Sequence, residues 1–302
     1  MMKKRTVLPY ISATITSLIF GLSFLFSKIA LQNVSPLTLL GFRFLTAFSL
    51  MTILIILKII KVDYKNKPIS SLLLLGIMQP VTYFLFETYG IQNSSSSQAG
   101  LMISLIPIVV TLLSSLLLKE KTSISQIISI IISISGVFII ILMNNSSETN
   151  SSFIGTFFLF GAVISAAFFN ILSRKLSMKF SPMELTYFMM FMGALTFNSL
   201  SVLKHLNAGT LKTYFLVLNN KEFLIAIGYL GILSSIVAFF LINYTLSKIE
   251  ASKSSIFANL STIVSVVAGI IILKEDFSFY HLIGSSLILI GVWGTNYFGK
   301  NK

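Results

Sequence analysis

Residues 76–137 can be laid on residues 231–292 without a gap, at a constant offset of 155, and about a quarter of the paired positions are identical. Tyr89 falls on Tyr244, Lys119-Glu120 on Lys274-Glu275, and Gly136-Val137 on Gly291-Val292. Upstream, Ser35-Pro36 matches Ser181-Pro182 at an offset of 146. Such self-similarity means that one structural unit is built twice. The unit is a set of apolar runs of about 20 residues, the length a helix needs to cross a bilayer. Each copy holds five runs, and five is odd. The second copy must then enter the membrane from the side opposite to the first and lie upside down beside it.

The expected fold is therefore an all-α integral membrane protein with ten transmembrane helices, arranged as two inverted five-helix repeats over residues 1–148 and 149–302. The spans are predicted near 9–31, 37–57, 70–91, 98–118, 124–143, 153–173, 183–203, 222–246, 254–273 and 280–298. The composition agrees: 55% of residues are hydrophobic and only 10% charged, against about 25% charged in soluble domains. Pro9 to Leu31 is too long for a cleaved leader, so an uncleaved first span is expected.

The net charge of +13 would suggest nucleic-acid binding in a soluble protein. Here the basic residues sit in short loops, which points to the lipid bilayer and to orientation instead. Sixteen of the 22 Lys and Arg lie at the ends that share a side with the N-terminus, four lie on the other side, and Lys28 and Arg43 fall within spans. This bias places both termini in the cytoplasm of a multi-pass cell-membrane protein. The absence of Cys excludes disulfides, thiol catalysis and Cys-ligated metals. His205 and His281 are isolated, so no metal site is expected. No phosphate-binding Gly-x-x-x-x-Gly-Lys-Ser/Thr loop occurs, no cofactor is implied, and no convergent acid–base group suggests an enzyme.

Phe20-Gly21-Leu22-Ser23-Phe24 resembles the aromatic-Gly-x-x-Phe opening of first spans in the drug/metabolite transporter superfamily. Ser35-Pro36, followed by Arg43-Phe44 and Ala47, is similar to that superfamily's Ser-Pro…Arg-Phe…Ala signature. Lys119-Glu120 with Gly136-Val137, repeated as Lys274-Glu275 with Gly291-Val292, resembles the Gly-Glu…Gly-Val ending of each repeat, with Lys in place of the usual Gly. In order, spacing and duplication these motifs resemble the EamA-type permeases over essentially the full length. The resemblance implies a ten-helix bundle with a central path between the copies. It also implies a secondary transporter, often an exporter, that moves a small organic metabolite such as an amino acid. Inverted repeats carry such cargo by alternating access, and coupling to a proton or counter-solute stays open. A facilitative channel-like pore, or a membrane protein without transport activity, is the alternative.

Ionisable groups inside spans are costly and face protein or water. Arg43 lies six residues in from the outer end of the second span, and Glu87 is about four residues from the outer end of the third, roughly 6 Å deep. They form either an outer-facing site for a zwitterionic solute or a structural ion pair, with Lys28 snorkelling to the interface. Gln79 and Tyr83 share the helical face of Glu87. Asn170, Asn243 and Asn259 lie in inner halves of spans in the second copy, as does Trp293. These eight residues, Lys28 excepted, are the candidates to line a substrate path; interhelix hydrogen bonds and interfacial anchoring are the competing roles. Glu120 and Glu275 suit structural capping, and Glu184 suits the dipole of the helix it begins. Arg43 and Glu87 have only Met189 and Ile242 as counterparts, so these two charges within spans are not repeated in the second copy.

Overall fold

The computed structural model describes residues 2–118, 123–143, 149–276 and 278–299, and among them every regular element is a helix. Lipid offers no partner for backbone N–H and C=O groups, so a chain this apolar satisfies them within helices. In the first copy, α1 (Met2–Leu31) and α2 (Pro36–Ile56) are continuous. The third apolar stretch is built from α3 (Ser70–Gly76), a π-helical segment (Ile77–Thr82) and α4 (Tyr83–Gln92). Then come α5 (Ser96–Ile103), α6 (Ile106–Leu118) and α7 (Ile124–Met143). The second copy follows the same plan. It runs through α8 (Thr149–Leu176), α9 (Pro182–Asn207), a surface turn α10 (Leu211–Leu216), α11 (Lys221–Gly228), a second π-helical segment (Tyr229–Val237) and α12 (Ala238–Lys248). It closes with α13 (Ala251–Ser255), α14 (Ala258–Ile272) and α15 (Phe279–Gly299).

Eight helical stretches among the described residues are long and apolar enough to cross a membrane, against the ten expected. The fifth and tenth expected spans correspond to α7 and α15, whose apolar stretches, Ile124–Gly136 and Phe279–Gly294, are shorter. Glu120 and residues 144–148 of the linker lie outside the described residues.

Matching helices of the two copies pack on one another, and they do so antiparallel. Ser133 of α7 donates to the carbonyl of Ile288 of α15 at 3.2 Å, and these two positions are counterparts at the offset of 155. Around them, Gly136 faces Gly284 and Ile288 while Gly291 faces Ser129 and Ser133, so numbers rise along one helix as they fall along the other. The pair α2 and α9 behaves alike. Thr38 meets His205 at 3.2 Å, Asn198 donates to the carbonyl of Gly41 at 3.1 Å, and Thr52 meets Tyr187 at 3.2 Å. Copies with the same orientation would bring matching helices together in parallel. Antiparallel contact centred on matching residues instead puts a two-fold relation across the helices.

Both α2 and α9 begin with Ser-Pro, the Pro supplying a first-turn residue with no N–H to leave unpaired. At α9 the start is elaborated. Glu184 N donates to Ser181 Oγ at 3.3 Å and Ser181 N to Glu184 Oε2 at 3.0 Å, a reciprocal capping box. The same carboxylate accepts Lys67 Nζ at 2.6 Å and Asp63 N at 3.3 Å, and Tyr64 donates its hydroxyl to the Glu184 carbonyl at 2.7 Å. Burial pushes the Tyr64 phenol above its ordinary pKa, which keeps it a donor. Glu184 thus does more than suit a helix dipole: it pins the loop of residues 58–69 to the start of α9. Substituting Glu184→Ala should cost about 2 kcal/mol, since it removes charge-assisted bonds at a buried site. Thermal unfolding in detergent measures this, and an unchanged midpoint would show that the loop is not held there.

Candidate functional site

The third apolar stretch of each copy is interrupted at equivalent places, and the interruptions shape the centre of the bundle. In the first copy Gln79 leaves helical geometry (φ −149°, ψ 118°) and is joined to Pro80 by a cis peptide bond. Pro80 has no N–H to give, and π-helical turns recur where helices carry function. In the second copy Ser234 and Ser235 stand where the first has Gln79 and Pro80. There the π-helical segment carries two hydroxyls into the buried interior.

Arg43 crosses from α2 of the first copy to these hydroxyls. Its Nε donates to Ser235 Oγ at 3.0 Å and its Nη2 to Ser234 Oγ at 2.8 Å. The guanidinium lies over the Phe84 ring, 4.2 Å from the centroid, a stabilising position for a desolvated cation. Only 1% of the residue is exposed. On α4, next to Phe84, Tyr83 donates its hydroxyl to Glu87 Oε1 at 3.0 Å. Arg43 and Glu87 do not form an ion pair: the pairs within 4.0 Å among the described residues are Lys67–Glu184 and Lys253–Glu250. The interlocking pair considered from sequence is therefore replaced by an Arg43–serine fork that ties one copy to the other.

Arg43, Gln79, Tyr83, Glu87 and Asn170 all line one cavity of about 80 Å³ between the two copies. Ile242, the counterpart of Glu87, lines it too, so the asymmetry read from the sequence is an asymmetry of the cavity wall. The other three candidates are elsewhere. Asn243 spends its amide between helices, accepting from Ser173 Oγ at 2.7 Å and donating to Thr186 Oγ1 at 3.0 Å. Asn259 is half-buried and outside the lining. Trp293 is 63% exposed and stacks on Tyr297 at 5.1 Å on the outside of α15.

Sequence reasoning missed the contribution of α1. Ser12, Thr16, Ser23 and Ser27 are all buried, and their spacing of four, seven and four residues is that of one helical face. Thr16 and Ser23 of this stripe reach the cavity. Lys28 does not snorkel: its ammonium donates to the carbonyl of Ile91 at 3.0 Å and to that of Ser94. Glu275 meets the same turn from the other copy. Its carboxylate accepts Ser96 N at 2.7 Å, Ser97 N at 2.9 Å and Ser97 Oγ at 2.6 Å. A cation on the last carbonyls of α4 and an anion on the first amides of α5 both match the helix dipoles. They clamp the turn between α4 and α5.

The model of the EamA-like transporter family matches this chain twice, at residues 7–142 and 153–297. The uncharacterized transporter YcxC of Bacillus subtilis (strain 168) is 40% identical over 296 residues, covering 98% of this chain and 95% of its own. An uncharacterized transporter of Archaeoglobus fulgidus is 30% identical over 284 residues, covering 94% and 97%. One solved crystal structure superposes with a TM-score of 0.65 at 15% identity over 95% of both chains, a likeness of fold alone.

Proposed function

The chain belongs to the EamA-like transporter family, and from that premise we propose that it is a secondary transporter moving a small organic metabolite, such as an amino acid, by alternating access. Family and relatives are named as transporters, not as enzymes. The observation that carries the proposal is the cavity held between the two copies, with Arg43, Gln79, Tyr83 and Glu87 in its wall. A largely apolar chamber carrying a few polar groups at a repeat interface is what rocking of one repeat against the other would expose to each side in turn.

In this reading ten helices span the cell membrane as two inverted repeats, 1–148 and 149–302, with both termini in the cytoplasm. Arg174, Lys175 and Lys179 then lie inside with Lys58 and Lys61. The turn clamped by Lys28 and Glu275 then lies on the outer side of the bundle, and its release would accompany outward opening. Counterflow in proteoliposomes tests the transporter reading. Preloaded solute should accelerate saturable uptake of its labelled form, whereas flux that neither saturates nor exchanges would favour a pore, and no flux of any solute would sink both.

The clamp makes its own prediction. Glu275→Ala leaves Ser96 N and Ser97 N without acceptors, a loss of about 1–3 kcal/mol of charge-assisted bonding. Hydrogen exchange at those two amides should rise by about tenfold or more. Exchange rates equal to wild type would mean the turn is held by packing and not by the carboxylate.

A further inference from the structure

Four residues that line the central cavity each hold a buried side-chain atom with no hydrogen-bond partner among the described residues: Thr16 Oγ1, Gln79 Oε1, Glu87 Oε2 and Ser254 Oγ. Buried polar atoms are nearly always partnered, so four around one chamber mark a place where a polar guest belongs. The chamber is also large enough for more than a single water molecule. What these atoms ask of a guest is informative. Glu87 and Gln79 present oxygens, which accept; the two hydroxyls can accept as well as donate.

The cationic donor in the wall is committed along one edge. Arg43 spends Nε and Nη2 on Ser235 and Ser234 and lays its face on Phe84. A carboxylate entering the cavity would find the Nε–Nη2 edge of the guanidinium already taken and would meet the Glu87 carboxylate as a like charge. An ammonium would find the reverse. Its donors suit the unpartnered acceptors that Glu87 and Gln79 hold, and the rings of Phe20, Phe24 and Phe169 in the lining suit an apolar body carrying a cation.

We propose that the cavity recognises its solute through an organic ammonium group, bound at Glu87 and Gln79 with its apolar body against the phenylalanines, and that Arg43 is a strut between the copies and not a carboxylate receptor. This rests on the cavity's being the transporter's solute site, and it narrows the substrate class to amines, with or without a carboxylate elsewhere on the molecule.

The test is equilibrium binding of radiolabelled phenethylamine to the full chain purified in detergent, with three competitors. Phenylalaninamide keeps the amine and lacks the carboxylate, 3-phenylpropanoate keeps the carboxylate and lacks the amine, and phenylalanine has both. Saturable binding displaced by phenylalaninamide, and not by 3-phenylpropanoate, is expected. Glu87→Gln, close to isosteric, should weaken phenethylamine at least tenfold while its unfolding midpoint shows that it remains folded. Displacement by 3-phenylpropanoate as good as by phenylalaninamide, or no saturable amine binding to the wild type, would overturn the proposal without reference to any variant. The outcome separates from that of the counterflow experiment. A protein that exchanges other solutes but ignores amines keeps the transporter reading and loses this one; a protein that binds amines without carrying them does the opposite.

Discussion

Replacing Arg43 with Met, the residue its counterpart position already carries, should slow solute exchange by about 100-fold, on the order of 3 kcal/mol, without weakening recognition of an amine. Arg43 is the tie between α2 of the first copy and the π-helical segment of the second. Without it Ser234 and Ser235 lose their donor and Phe84 loses the cation on its face. The two copies would then lose a defined relation across the chamber. Recognition should respond with the opposite sign. Removing a positive charge from the wall favours a second cation there, so the apparent affinity for phenethylamine should tighten while the maximal exchange rate falls. Arg43→Lys keeps the charge but cannot hold two hydroxyls with a planar fork, so it should fall between wild type and Met. A double Ser234→Ala, Ser235→Ala change separates the causes. If the fork matters, the double variant is as slow as Arg43→Met; if only the charge matters, it exchanges at the wild-type rate. An Arg43→Met protein with an unchanged rate would show that the fork is not what ties the copies together, and a weakened phenethylamine affinity would show that the Arg43 charge does not oppose the bound cation.

What was legible in the sequence and what was not divides along a physical line. Depth along a helix can be counted, and the count put Arg43 and Glu87 together toward the outer side; it put Asn170 in the inner half, yet all three line one chamber with Gln79 and Tyr83. Rotation about the helix axis cannot be counted when a helix is apolar all round, because no polar face marks the outside. Trp293 and Asn243 were placed at a similar depth in the bilayer, yet one faces outward and the other is bonded between helices. The partners of Arg43 were hidden for a different reason. Ser234 and Ser235 are common residues whose meaning comes from the two-fold relation: they occupy the counterpart positions of Gln79 and Pro80, which α9 meets in the other copy. The α1 stripe was available as a four–seven–four spacing of hydroxyl residues. It passed unnoticed because Ser and Thr are tolerated anywhere in a membrane helix, their hydroxyls bonding back to the preceding turn, as Ser17 does to the Ala13 carbonyl at 2.9 Å.

The same two-fold relation sets the most damaging substitution expected outside the chamber, Gly291→Leu. A Cβ at Gly291 would lie 2.5 Å from the Ser129 carbonyl oxygen, 2.6 Å from Ser133 N and 2.7 Å from Ser133 Cβ. At Gly136, on the facing helix, it would lie 2.5 Å from the Gly284 carbonyl oxygen and 3.0 Å from Ile288 N. These neighbours are mostly backbone, so no rotamer change relieves the clash and α7 must move away from α15. In lipid that separation is expensive because close packing, not a hydrophobic gain, holds such helices together. The loss should reach about 3 kcal/mol or more, with Gly136→Leu alike. Gly228 is the control: a Cβ there meets nothing within 4 Å, so Gly228→Leu should leave the unfolding midpoint near wild type. The chain has no Cys, so cysteines introduced at Ser133 and Ile288 report on this one contact through cross-linking. The yield should drop sharply when Gly291→Leu is added and hold when Gly228→Leu is added. Equal yields in all three backgrounds would mean that α7 and α15 do not depend on the glycine approach, and the axis would have to be supported by α2 and α9 alone.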